Sequence, residues 1–169
     1  RSGAAADLDS RIYLASVGKT MTAVAMIRAM REFGPGLNAM LNFPIGPYLP
    51  PQLNASAQVN SLRFRDLLTH RTGFAQNMNL SLANLKVLAG SNTVAINSPY
   101  AYSNVNFSLL KYTLFRLAGQ TLNGVVSESD QEDKVNNFFL SYLKARVFDP
   151  AGITGQATQS NEVLCYLMG

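Results

Sequence analysis

One cysteine, one histidine and no tryptophan occur in the 169 residues, and each scarcity closes a route. Cys165 alone cannot form an intrachain disulfide and cannot build a tetrahedral thiolate metal site; it also leaves the redox compartment open. No pair of residues sits at metal-ligand spacing, and no paired catalytic carboxylates stand out. Gly34-Pro35-Gly36 lacks the Lys-Ser/Thr that a phosphate-cradling loop needs, so it reads as a helix stop. The chemistry left to this chain uses no metal and no cofactor.

Charge is sparse as well. Fourteen Lys plus Arg face ten Asp plus Glu, a formal charge of +4, and these residues are scattered singly without a basic stripe or tail. Nucleic acid is therefore not an expected partner. The uncharged stretch from Val87 to Leu110 is broken by Ser91, Asn92, Asn97, Pro99, Asn104 and Asn106, polar groups that hydrocarbon does not tolerate, so no transmembrane segment is expected. The opening Arg1-Ser2-Gly3 has no Met and precedes no signal-like apolar run, which predicts that the native start is missing. Alternating strand patterns longer than a few positions, and internal repeats, are absent.

What is present is apolar: 47% of the residues are hydrophobic, enough for one core, and residues 1–169 are read as a single domain. Met21, Val24, Ala25, Ile27 and Met30 predict a helix from Ser16 to Phe33, stopped at Gly34-Pro35. Between Lys19 and Arg28 this helix has no charge on any side, the composition of a helix surrounded by protein. A loop with Pro44, Pro47, Pro50 and Pro51 follows. Arg63 to His70 predicts a short helix closed by a turn at Thr72 and Gly73. From Thr72 to Leu110 only Lys86 is charged, and mostly loop is expected, with a helical turn near Leu80 to Leu88. Further helices are predicted from about Asn104 to Leu117 and from about Gln131 to Val147, the latter ending before Asp149-Pro150. The chain should be mainly α.

Ser16-Val17-Gly18-Lys19 carries the chemistry. Three residues apart, the hydroxyl and the amine share one face of a helix that begins near Ser16. A serine hydroxyl is a weak nucleophile until a base accepts its proton, and a desolvated lysine near a helix N-terminus can serve. The Ser16 backbone N–H would be one oxyanion donor. A capped helix with a solvated lysine gives the same four residues; against it, Lys19 runs straight into the apolar stretch Met21 to Ile27. His70 and Asp66 also lie one turn apart, but a helix-end histidine satisfying backbone carbonyls is the better reading. Asn54-Ala55-Ser56, Asn79-Leu80-Ser81 and Asn106-Phe107-Ser108 fit the glycosylation sequon and are given no role.

Five segments in order resemble one family. Ile12 to Met30 (IYLASVGKTMTAVAMIRAM), Tyr48-Leu49-Pro50, Phe64 to Phe74 (FRDLLTHRTGF), Tyr102-Ser103-Asn104 and Val147 to Ile153 (VFDPAGI) look like consecutive landmarks of the serine β-lactamase and penicillin-binding-protein-like family, which includes class C β-lactamases, D-alanyl-D-alanine carboxypeptidases and related esterases. The resemblance implies that Ser16 is the acylated nucleophile and Lys19 its proton-transfer partner. It makes Tyr102 a second base, and Asn104 an amide that binds the substrate's acyl-amide side chain. Which of Lys19 and Tyr102 takes the Ser16 proton stays open. Without the resemblance, Tyr102 would be a turn residue with its ring in the core and Asn104 a helix N-cap. The implied partner is a small-molecule or peptidoglycan-peptide substrate, and the implied setting periplasmic or extracellular.

The family's third motif, Lys-Thr-Gly or His-x-Gly on a sheet strand, does not occur: Lys19-Thr20 is followed by Met21, and His70 to Gly73 reads His-Arg-Thr-Gly. The chain thus resembles the helical part of an α+β fold with most of its antiparallel sheet missing. A truncated fragment of a longer enzyme is expected, in preference to a free-standing peptidoglycan-binding or interaction module on the same scaffold. Lacking one oxyanion donor, at a cost of roughly 2.7 to 4 kcal/mol, the isolated chain should be a weak or inactive catalyst, and the surface left by the missing sheet would favour self-association.

Overall fold

The computed structural model describes residues 15–153. Cys165 and the opening Ile12 to Leu14 of the first landmark lie outside them. The described residues are mainly helical, and their only strand-like pairing is an isolated antiparallel bridge between Pro44 and Arg63, supported by Ile45 N–H donating to the Leu62 carbonyl at 2.7 Å. No helix among them is long and apolar enough to cross a membrane.

Helix α1 (Gly18–Phe33) buries Thr22, Ala25, Met26, Ala29 and Met30, positions spaced as one stripe of an amphipathic helix. Its other side is open, with Val24 44%, Ile27 36% and Phe33 43% exposed. This corrects the expectation of an all-round buried helix. Absence of charge removes the desolvation cost of burial but supplies no neighbour to pack against.

The surrounded helix is α6 (Asn104–Leu117), which is buried at almost every position from Asn104 to Leu117 and packs against α1, α4 (Phe64–Leu68), α5 (Leu82–Ala89) and α7 (Glu128–Leu143). Leu109, Leu114 and Phe115 meet Val135 and Phe139 in one continuous core, with the Phe115 and Phe138 rings edge to face at 5.4 Å, a favoured aromatic geometry. Even Lys111 of α6 is buried, its Nζ donating to Asn136 Oδ1 at 2.6 Å.

Two short helices escaped the sequence reading: α2 (Leu37–Asn42) and α3 (Ala57–Ser61). The prolines between them flank these elements without interrupting them, and Ser56 caps α3 by accepting the Val59 N–H at 3.1 Å. Helix α7 starts three residues earlier than predicted and passes beyond Leu143 into a π turn, Lys144–Phe148. Its start is set by Ser127, whose Oγ accepts the Asp130 N–H at 3.0 Å, with Glu128 and Asp130 placed favourably at the positive end of the helix dipole. Ser127→Ala is therefore expected to lower stability by about 1 kcal/mol, read as a shifted denaturant midpoint at unchanged slope.

Candidate active site

Ser16 sits in the 3₁₀ turn Ala15–Val17 that runs directly into α1, and Val17 already has helical backbone angles (φ −60°, ψ −30°). Ser16 and Lys19 therefore do share a face. The half-buried Lys19 donates from Nζ to Ser16 Oγ at 3.3 Å, and the same Oγ lies 2.5 Å from the Tyr102 hydroxyl. Tyr102 in turn donates to Asn104 Oδ1 at 3.2 Å. The four residues named from the sequence are brought together, although Ser16 and Tyr102 are 86 positions apart.

The Tyr102-Ser103-Asn104 segment is held from one side by residues 70–76. Backbone N–H groups of Ala95, Ser98 and Ala101 donate to the carbonyls of Thr72, Arg71 and His70 at 3.0, 3.1 and 3.0 Å. Ser103 Oγ donates to the Ala75 carbonyl at 2.9 Å, and Gln76 Oε1 accepts the Asn104 N–H at 2.9 Å. That last bond satisfies one of the orphan donors at the start of α6. The N-cap position is Ser103, so Asn104 is the first helical residue and not the cap. Its Nδ2 donates to Met78 Sδ at 3.3 Å.

Lys19 Nζ stands 5.0 Å from the centre of the Tyr102 ring and 5.9 Å from that of Phe107, within cation–π range. Partial burial pushes the Tyr102 phenol up, but hydrogen bonds from Lys19 and Ser16, with the Lys19 charge, outweigh it and hold the phenol below its ordinary value. An ammonium beside a phenol favours the phenolate. Tyr102 is 38% exposed with its hydroxyl on Ser16, which disposes of the turn residue with a core ring.

Asp66 does not face His70. Its buried carboxylate accepts from Arg63 N–H at 3.0 Å, Arg63 Nε at 2.9 Å, Arg63 Nη2 at 3.0 Å and Asn97 N–H at 3.3 Å, which fastens the start of α4 to the loop at Asn97. Neither does the His70 ring satisfy helix carbonyls as expected: its Nδ1 accepts the Ser103 N–H at 3.2 Å. The sequon asparagine Asn106 is buried.

A family model described as beta-lactamase matches residues 1–163. The chain belongs to the beta-lactamase family. No curated protein and no solved structure matches it. Membership points to serine acyl-transfer hydrolysis at the level of the family, and the helical, nearly strandless architecture of the described residues agrees with the helical part of the beta-lactamase fold. Gln76 and Met78 contact Asn104, and Phe107 lies near Lys19; none of the three was given a site role by the sequence. Phe107 alone left a signal, lying one helical turn after Asn104; Gln76 and Met78 are in a loop whose path no periodicity reveals.

Proposed function

We propose that the chain forms an acyl-enzyme at Ser16, taking a β-lactam, a D-Ala-D-Ala peptide or a small ester as acyl donor. The observation that carries the reading is Ser16 Oγ within hydrogen-bonding distance of both Lys19 Nζ and the Tyr102 hydroxyl. Lys19 Nζ donates to Ser16 Oγ while the Tyr102 oxygen lies on the other side of that hydroxyl, and this reading gives the Ser16 proton to Tyr102. Tyr102 phenolate takes that proton as Oγ attacks the carbonyl carbon, while Lys19 stabilises the phenolate charge. The oxyanion of the tetrahedral intermediate meets the Ser16 backbone N–H. Tyr102 then returns the proton to the departing amine or alkoxide, and water hydrolyses the ester left on Ser16. Asn104 Nδ2 serves the substrate's acyl-amide carbonyl, a stronger acceptor than the thioether of exposed Met78 that it now contacts.

The opposite wall of the site, with the second oxyanion donor, is proposed to come from sequence outside these 169 residues, residues 1–169 being one helical domain of a longer enzyme and a weak catalyst alone. The open side of α1, where Val24, Ile27 and Phe33 are exposed beside Arg28 and Arg31, supports docking of that missing part or self-association in its absence. The lack of Lys-Thr-Gly or His-x-Gly favours a second reading, a non-catalytic peptidoglycan-binding or interaction module. Incubation with a fluorescent penicillin and with a fluorophosphonate probe separates the two: mass increase on Ser16, abolished by Ser16→Ala, is expected. No labelling at high probe concentration would sink the acyl-enzyme reading and leave the binding module.

A further inference from the structure

His70, the only histidine in the chain, has no place in the acyl-transfer steps, yet it is 8% exposed and lies against the site. Its backbone is left-handed, φ 55°, a conformation uncommon outside glycine in which asparagine, aspartate and histidine are the enriched exceptions. The ring centre is 4.7 Å from that of Tyr102 at 31° between planes, and 5.2 Å from that of Phe107 at 35°. Tyr100 meets it edge-on at 6.0 Å. Its Nδ1 accepts the Ser103 N–H at 3.2 Å and faces Asn106 Nδ2 at 3.1 Å, and Asn106 is itself oriented by Thr72 Oγ1 donating to its Oδ1 at 2.6 Å.

We propose that His70 is the positioning residue of Tyr102: its neutral Nε2–H tautomer anchors the Tyr102-Ser103 backbone through Nδ1 and backs the phenol ring, keeping the hydroxyl on Ser16 and Lys19. The inference rests on the acyl-enzyme reading for its catalytic meaning. The tautomer follows from the donors around it. A backbone N–H and an amide N–H both point at Nδ1, which leaves that nitrogen no room for a proton. Burial first, and the Lys19 charge second, hold the imidazole below its ordinary value, so the ring stays neutral beside the ammonium it would otherwise repel. The rings of Tyr102 and Phe107 that flank the imidazole are the same two that lie under Lys19 Nζ. One aromatic group thus locates both catalytic partners of Ser16.

His70→Asn is the informative variant. Asparagine tolerates the left-handed backbone, and its Oδ1 takes the place of Nδ1 as acceptor, so the chain should fold while the ring support is lost. With tyrosines labelled at the ring carbon bearing the hydroxyl, and Tyr102 assigned through Tyr102→Phe, nuclear magnetic resonance reads the Tyr102 ionisation directly. The expected result is a Tyr102 phenol that moves up towards its ordinary value near 10. Fluorophosphonate labelling of Ser16 should slow by roughly 10²-fold in its maximal rate, with half-saturation little changed. Nitrogen shifts of the single histidine in the unmutated chain should place the proton on Nε2. A folded His70→Asn with wild-type Tyr102 ionisation, or a proton found on Nδ1, would overturn the proposal. Wild-type chain that never labels overturns the acyl-enzyme reading instead, and the Tyr102 and histidine measurements, which need no turnover, still decide the positioning role.

Discussion

Tyr102→Phe is expected to slow acylation of Ser16 by roughly 10²- to 10⁴-fold, the range of a positioned general base. The substitution keeps the ring that packs on His70 and lies under Lys19, and removes only the hydroxyl 2.5 Å from Ser16 Oγ. Lys19 still donates to Oγ, but a group with three donors and no acceptor while protonated cannot take the serine proton. The rate of Ser16 labelling, followed by mass spectrometry against pH, is the measurement. Tyr102 must be deprotonated to act, so the wild-type rate should rise with pH and level off above the phenol's pKa, which Lys19 and Ser16 hold below the ordinary tyrosine value. Tyr102→Phe should lose that rise together with the rate. Equal rates in the two proteins would transfer the base role to Lys19.

Stability should climb with pH on the alkaline side, chiefly through Lys111, with the lowered Tyr102 phenol adding to the climb below pH 10. Burial lowers the Lys111 pKa to about 8, with Glu132 opposing. The sign follows from which state holds the proton: between about 8 and the unfolded value of 10.5 the unfolded chain binds more protons, so raising pH favours the folded state. The contribution is complete above 10.5 and is lost as pH falls through this window. From pH 8 to 9.5 the gain is on the order of 1 to 2 kcal/mol, below the full 1.4 kcal/mol per decade because half of the native lysine still holds its proton at pH 8. Above pH 10 two phenols reverse the trend, since burial first, with nearby acidic side chains, raises Tyr112 and takes Tyr142 to about 12. The unfolded chain then ionises its tyrosines before the folded one does. Urea midpoints taken every half pH step should therefore peak near pH 10. Lys111→Met should flatten the rise from 8 to 9.5 while leaving the fall above 10. A wild-type midpoint that does not move across that interval would show that Lys111 is hydrated in the native protein.

The helices legible in the sequence were those whose ends carry their own chemistry. Gly34-Pro35 stops α1, and α6 runs over Asn104–Leu117 as predicted. Helices α2 and α3 were not, because short elements among prolines leave too few positions for a period to register. The centre of the fold was misplaced for a different reason. Charge content alone nominated α1, whereas α6 is the buried helix despite carrying Lys111 and Arg116, because burial depends on how many neighbours converge on an element.

The same division runs through the site. Ser16 and Lys19 are three residues apart on one helical turn, so local geometry alone makes them neighbours, and the sequence determined that pair along with the family and its helical class. Tyr102 and Asn104 were recognisable as a motif, but no rule of spacing brings Tyr102 across 86 positions to Ser16 Oγ. That meeting is made by the packing of α1 against α6 and by the backbone bonds from residues 70–72 to residues 95–101. Only the tertiary structure decided that His70 lies behind Tyr102 instead of beside Asp66. Asp66 is held by Arg63, three residues away, and the imidazole is left to the hydrogen bonds and rings that long-range packing delivers.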